Sequence, residues 1–278
     1  MKLALIQEKQ NSLYQFKEAS LHFEKKEIQK LQEEMIEQNL KLLREAAKNK
    51  ADIAVTSEAI NFPGPPSSHT ESTKELVKAT QDNLLRRCSQ IAEEGKMYLI
   101  VGMLRVETDG NMYNSAVVFD REGEELFVYH KNFLAGDEKE YLTPGNGFPV
   151  WESEFGRIGI GICWDMQFPE TARNYARQET DLLLCPTWGW EAIYGRSRSY
   201  ENGIYVAAAM AVPSWKDIEG KRTPSEVVAP DGQVMVSGSI KSAEVIYCRL
   251  EDIRNCREQR NLRIGDLNQW VESQRQER

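Results

Sequence analysis

An α/β layered fold follows from three features of this 278-residue chain. Short, nearly all-apolar runs of strand length alternate with longer amphipathic runs at helical spacing, the pattern of strands covered by helices. No linker, fixed-period repeat or low-complexity tract divides the chain. The composition, 41% hydrophobic and 28% charged, suits a soluble protein with one sizeable core.

The elements follow in order. Met1 to Lys9 turns charged too early for a signal peptide and reads as a first strand. Residues 24–48 place Ile28, Leu31, Met35, Ile36, Leu40, Leu43 and Ala47 at helical spacing, with Glu and Lys between. Ala51 to Val55 is a short buried strand with Glu58 just past its end, and Phe62-Pro63-Gly64-Pro65-Pro66 is a loop. A second amphipathic helix covers 72–94, with Leu76, Thr80, Leu84, Cys88 and Ile91 on one face and Gly95 as its stop.

Strands then dominate: Tyr98 to Val106, Asn114 to Phe119, and Glu125 to His130 after the turn Asp120-Arg121-Glu122-Gly123. A loop with Gly136 and Pro144-Gly145-Asn146-Gly147 leads to a strand over 157–163. A helix over 168–178, a strand from Asp181 to Cys185, a helix over 191–202 and a strand from Ile204 to Met210 follow. Ser225 to Val236 is a hairpin around Asp231-Gly232, and Glu244 to Leu250 is the last strand. One domain therefore spans 1–250. Residues 251–278, charged and Arg-rich, form a C-terminal tail, either solvated or an arm that packs on a partner subunit.

Several function classes are disfavoured. A net charge of −8 argues against nucleic-acid binding and against a polybasic membrane-surface protein. No apolar run has the length of a membrane span. Five cysteines, Cys88, Cys163, Cys185, Cys248 and Cys256, are odd in number and lack CxxC spacing, which favours reduced thiols in the cytoplasm. His22, His69 and His130 are too scattered for a His-based metal site. There is no GxSxG, no P-loop and no HExxH, and Trp164 occupies the third glycine position of a dinucleotide fingerprint begun at Gly159.

The remaining chemistry belongs to thiols, carboxylates and amines. Cys163 alone reads as core, since free cysteine is among the most buried residue types. Its company alters that reading, because Glu58 and Lys131 each sit at the end of their own strand. A cysteine nucleophile needs a base, and a buried carboxylate serves as one if its pKa rises. Lys131 can stabilise an oxyanion, helped by the backbone N–H that follows the nucleophile. That requirement separates two strand-end thiols: Cys163 precedes Trp164, which has an N–H, while Cys185 precedes Pro186, which has none. Cys185 is thus expected in the core. Mutual pairing of Glu58 with Lys131 is the alternative, although buried ion pairs are costly and cluster at functional sites.

These residues carry a family pattern. Tyr129-His130-Lys131 with Pro144-Gly145 downstream, Gly161-Ile162-Cys163-Trp164-Asp165 with Phe168-Pro169-Glu170, and Tyr200-Glu201-Asn202-Gly203-Ile204-Tyr205-Val206 occur in one order. The chain resembles the nitrilase superfamily, the carbon–nitrogen hydrolases, from Met1 to about residue 250. The resemblance implies an α-β-β-α sandwich, paired through a helix face into a homodimer or higher homo-oligomer. It also implies Glu58 as general base, Lys131 as oxyanion stabiliser and Cys163 as nucleophile. A second glutamate of the family falls on Glu138, with Glu140 a competitor. The implied reaction is hydrolysis of a small-molecule amide or ureido (N-carbamoyl) substrate through a thioester, with ammonia released and no cofactor or metal. Nitrile hydrolysis, acyl transfer to an amine, and a non-catalytic binding role are the alternatives.

The substrate is less sharply indicated. Relatives that bind an α-carboxylate often carry arginines where this chain has Met166 and Gln167, which weakens that subclass. Arg173, Arg196 and Arg198 offer other cations. Trp164 and Trp188 are candidate aromatic walls for the substrate, with Trp190 nearby and core packing as the alternative for Trp188 and Trp190.

Overall fold

Alternation along the strands builds the architecture. In β1 (Lys2–Gln7) Leu3 and Leu5 join one apolar cluster while Ala4 and Ile6 join another, so both faces of the strand are covered. β8 (Leu182–Thr187) repeats this, with Leu182 and Leu184 on one side and Leu183 and Cys185 on the other. The computed structural model describes residues 1–10, 25–63, 70–212 and 222–276. Gly64-Pro65-Pro66, His22 and His69 lie outside the described residues.

Two six-stranded sheets result. The first joins β1 to β2 (Ile53–Thr56), β3 (Tyr98–Val106), β4 (Met112–Phe119), β5 (Glu125–His130) and β12 (Glu244–Arg249), in the order β12-β1-β2-β3-β4-β5. The second holds β6 (Val150–Ser153), β7 (Gly156–Ile160), β8, β9 (Tyr205–Met210), β10 (Glu226–Val228) and β11 (Val234–Ser237), in the order β11-β10-β9-β8-β7-β6. The strands β1, β2 and β3 run parallel, as do β7, β8 and β9, and the outer pairings are antiparallel.

The sheets face each other across Leu3, Leu5, Val55, Ile100, Ile158, Ile160, Leu182 and Leu184. Helices α1 (Lys25–Lys48) and α2 (Thr70–Gly95) cover the first sheet through Leu40, Leu43, Leu84 and Ile91. On the second sheet lie α3 (Pro169–Arg177), α4 (Ala192–Asn202) and α5 (Arg257–Gln276), with Ala172, Tyr175 and Ile264 buried there. The layers are therefore α-β-β-α. Each fully buried Leu or Ile in the middle layer contributes roughly 1.5–3 kcal/mol relative to exposure. Among the described residues no helix is long and apolar enough to cross a membrane.

Three local expectations are corrected. The strand expected over 157–163 ends at Ile160, and Cys163 instead opens a 3-10 turn over Cys163–Gln167. β6 lies in what reads as loop; it is a four-residue edge strand, too short for a period to show. Residues 257–276 form a helix rather than a loose tail. Its start is tied to the body by the buried Asp181, which accepts from Arg257 Nη2 (2.9 Å) and Arg260 Nη1 (2.7 Å). Ion pairs, more than an apolar stripe, dock this helix, and Leu262 and Trp270 remain exposed.

Candidate active site

The site forms where strand ends of both sheets meet, outside the carboxyl ends of the parallel strands. Glu58 lies two residues beyond β2, Lys131 directly after β5, and Cys163 three residues beyond β7. Glu58 and Lys131 thus come from the first sheet and Cys163 from the second.

The chain geometry at these positions is specific. Cys163 has φ of 43° and Ala59, just after Glu58, has φ of 51°, both in the left-handed region that non-glycine residues rarely enter. Gly102 lies under Ser57, where an added Cβ would collide with the Ser57 carbonyl oxygen. Gly145 is packed as closely on the His130 carbonyl, and its N–H donates to Lys131 O at 2.9 Å. The Pro144-Gly145 pair is therefore a backbone clamp on the lysine-bearing segment.

Lys131 is 1% exposed and its Nζ reaches two carboxylates, Glu58 Oε1 at 2.7 Å and Glu138 Oε2 at 2.9 Å. Burial works against its charge, but Glu58, the Cys163 sulfur and Glu138 outweigh burial and hold its pKa well above the ordinary lysine value. Asn114, on β4, donates through Nδ2 to Glu58 Oε1 at 2.7 Å and to Glu138 Oε1 at 3.3 Å. Glu58 Oε2 accepts the Trp188 N–H at 3.1 Å, and Glu138 Oε2 accepts the Ala135 N–H at 2.6 Å. Both carboxylates are fixed before any substrate arrives.

The Cys163 thiol is pushed up to about 12, by burial first and then by the charge of Glu58, against the lowering effects of Lys131 and of a hydrogen bond with Thr187. It rests as a neutral thiol, and its activation needs a base rather than a preformed thiolate. The first N–H groups of a 3-10 turn have no carbonyl partner within it, so the turn's own bonds do not use the Trp164 N–H.

Asp165 ties the two halves together. Its Oδ2 accepts the Tyr129 hydroxyl at 2.7 Å and the Ile162 N–H at 2.8 Å, and its Oδ1 accepts the Phe133 N–H at 2.8 Å. Burial raises its pKa to about 6 even with these donors. Arg198 braces the same turn from α4, donating to Met166 O (3.1 Å) and Gln167 O (2.8 Å) and pairing with Glu201 (3.1 Å). Its guanidinium is thus committed to the fold, and Arg196 is exposed.

The structure brings Glu58, Lys131, Glu138 and Cys163 together. Glu140 is exposed, so Glu138 is the second glutamate of the cluster. Trp164 adjoins Cys163 with 38% of its surface exposed, and Trp188 is half-buried with its peptide N–H on Glu58. Trp190 is fully buried and donates to Glu226 Oε1 at 2.7 Å, so it belongs to the core. Cys185 is buried beneath α3 and α4 as expected. Asn114 was missed from sequence; its signal was its place at the head of the strand that pairs with the one delivering Lys131. Among the described residues no group of three or more His, Cys, Asp or Glu is arranged to hold a metal ion.

An α-β-β-α sandwich with a buried carboxylate–amine–thiol cluster at its strand ends defines a class of cysteine hydrolases that act on carbon–nitrogen bonds. A carbon–nitrogen hydrolase family profile matches residues 4–258. Omega-amidase NIT2 of Xenopus tropicalis is 31% identical over 251 residues, covering 84% of this chain and 89% of that protein. Omega-amidase NIT2 of Homo sapiens is 30% identical over 242 residues, covering 81% and 86%. Among solved structures, a variant amidase from Nesterenkonia sp. AN1 with acrylamide added at its active-site cysteine has a TM-score of 0.71 at 23% identity, covering 94% of this chain and 99% of that one. A carbon–nitrogen hydrolase from Helicobacter pylori G27 has a TM-score of 0.75 at 24% identity, covering 94% and 92%. The chain belongs to the carbon–nitrogen hydrolase family, within the nitrilase superfamily, and is an enzyme of the amidase type.

Proposed function

We propose that the protein hydrolyses the terminal primary amide of a small linear substrate through a thioester on Cys163. The observation that carries this reading is the convergence of Glu58, Lys131 and Cys163, with Lys131 Nζ 2.7 Å from Glu58 and the thiol within the field of both. The omega-amidase names of its relatives favour an amide over an N-carbamoyl compound or a nitrile.

In the first half-reaction Glu58 takes the Cys163 proton as sulfur bonds to the amide carbon. Negative charge moves to the carbonyl oxygen, where the Lys131 ammonium and the Trp164 N–H receive it. Glu58 then passes its proton to the amide nitrogen, the C–N bond breaks, and ammonia leaves. In the second half Glu58 removes a proton from water as its oxygen attacks the thioester carbon. Collapse of that intermediate breaks the C–S bond, frees the carboxylic acid and returns the proton to Cys163. Glu138 and Asn114 keep Lys131 and Glu58 in register, and Trp164 and Trp188 flank the substrate. The chemistry asks for no cofactor or metal. The protein is further proposed to work as a homo-oligomer, and the exposed Ile193 and Tyr200 on α4 support a covered helix face.

Ammonia release from a panel of small primary amides and N-carbamoyl compounds tests the reading. Cys163→Ala should abolish turnover, and Glu58→Gln should lower it by roughly 10³-fold or more. Full activity of Cys163→Ala on any hydrolysed amide overturns the mechanism.

A further inference from the structure

Glu8 is a carboxylate the mechanism above does not use. It follows β1 directly, is 1% exposed, and is not ion-paired with any described residue. Three donor groups surround it. Ser57 Oγ donates to Oε1 at 2.7 Å, Asn39 Nδ2 of α1 donates to Oε2, and the Trp188 side chain also favours the ionised form. No charged group from these elements is among the influences on Glu8. Burial raises its pKa to about 7, against the lowering effect of those donors.

Two of the three donors lead directly to Glu58. Ser57 is its chain neighbour, at the crowded Gly102 crossing. Trp188 supplies the peptide N–H that Glu58 Oε2 accepts at 3.1 Å. Gln10, two residues beyond Glu8, donates through Nε2 to Trp188 O at 3.2 Å, so the segment after β1 also holds the next peptide, on the far side of the Trp188 Cα. A buried, unpaired carboxylate costs stability and is expected only where it does something else.

We propose that Glu8 is a positioning residue for the Cys163 site, holding Glu58 in place through Ser57 and Trp188, and that only its ionised form does so fully. This rests on the reading of Glu58 as general base. The carboxylate can accept from all three donors at once. Protonation turns one oxygen into a donor, and neither the Asn39 amide nitrogen nor the Trp188 indole nitrogen can accept from it. A proton on Oε2 opposes the Asn39 amide, and a proton on Oε1 reverses the Ser57 bond, so the network around Ser57 and Trp188 loosens and Glu58 shifts with it.

The test is kcat and KM against pH from 5.5 to 9 for the natural protein, Glu8→Gln and Ser57→Ala, with a small primary amide. Alkylation of Cys163 by iodoacetamide is followed over the same range. For the natural protein kcat should fall as pH drops through about 7. Glu8→Gln should have kcat lowered roughly 10-fold at pH 8, KM changed by less than about twofold, and no limb near neutrality. Ser57→Ala should move that limb to higher pH, because the Ser57 bond favours the ionised form. A Glu8→Gln profile that superimposes on the natural one overturns the inference, as does an unmoved limb in Ser57→Ala. The alkylation profile needs no substrate. If no amide is hydrolysed but Glu8→Gln still alters that profile, the hydrolytic reading fails and the positioning role stands.

Discussion

Replacing Lys131 by Met removes the cation shared by two carboxylates while keeping most of its buried stem. In the natural site Nζ lies 2.7 Å from Glu58 and 2.9 Å from Glu138, and the lysine is 1% exposed. Removing one partner of a buried ion pair costs roughly 3–5 kcal/mol, mostly the penalty of the charge left behind. Here each carboxylate keeps two hydrogen bonds: Asn114 and the Trp188 N–H on Glu58, Asn114 and the Ala135 N–H on Glu138. That places the cost of Lys131→Met near the lower end, about 3 kcal/mol. Adding Glu138→Gln takes away one of two like charges and should recover about 1–2 kcal/mol. Denaturant unfolding of the two variants and the natural protein, read at constant slope, measures both numbers. Ammonia release should fall by at least about 10²-fold in both variants, since the oxyanion loses its cation. The reasoning is refuted if Lys131→Met is as stable as the natural protein, or if the double variant is less stable than Lys131→Met.

The fully buried Glu8 has a folded-state pKa of about 7 against 4.5 when exposed, so stability falls as pH rises between those values. Glu8→Gln should therefore stabilise the fold at pH 8 by up to about 3 kcal/mol and hardly at all at pH 4.5; an equal shift in Tm at both pH values would show that Glu8 does not titrate there. Because Cys163 rests protonated, its alkylation at pH 7.5 should slow about 10-fold in Glu58→Gln, although loss of the Glu58 charge alone would favour the thiolate; faster alkylation would show that Glu58 acts only by its field. Asp165→Asn replaces one acceptor oxygen by a donor NH2, leaving at least one of the Tyr129, Ile162 and Phe133 donors without an acceptor, and should cost about 1–3 kcal/mol in unfolding free energy together with a fall in kcat.

Glu58, Lys131 and Cys163, which the fold brings together, were legible in the sequence as groups near the ends of short apolar runs and within the family motifs. Runs such as Ala51 to Val55 and Glu125 to His130 announce their own ends, and the functional groups sit at those ends. Asn114, Glu8 and Thr187 were not legible. Each acts across a strand pairing or between sheets, and nothing local marks an Asn at a strand head or a Glu after a strand as buried. β6 escaped because four residues on a sheet edge carry too short a period. The helix over 257–276 escaped for a different reason. Its anchor is Asp181, some eighty residues earlier in the chain, and its own residues show little apolar face. Trp188 and Trp190 are two residues apart, yet only the backbone course past β8 separates a site residue from a core one.

The division of the cluster between the sheets has a consequence for how this enzyme would wear under mutation. Glu58 and Lys131 ride on one sheet and Cys163 on the other, so the apolar layer around Val55, Ile160 and Leu184 serves as the gauge block that sets their spacing. Trimming Leu184 to Ala should cost about 2–5 kcal/mol, a loss a domain of this size can survive. A drift of even one ångström between thiol and base costs on the order of 10²-fold in rate. Catalysis should therefore register changes in the middle layer well before melting does. Variants that remain folded and soluble but turn over slowly should map to residues that never touch the substrate.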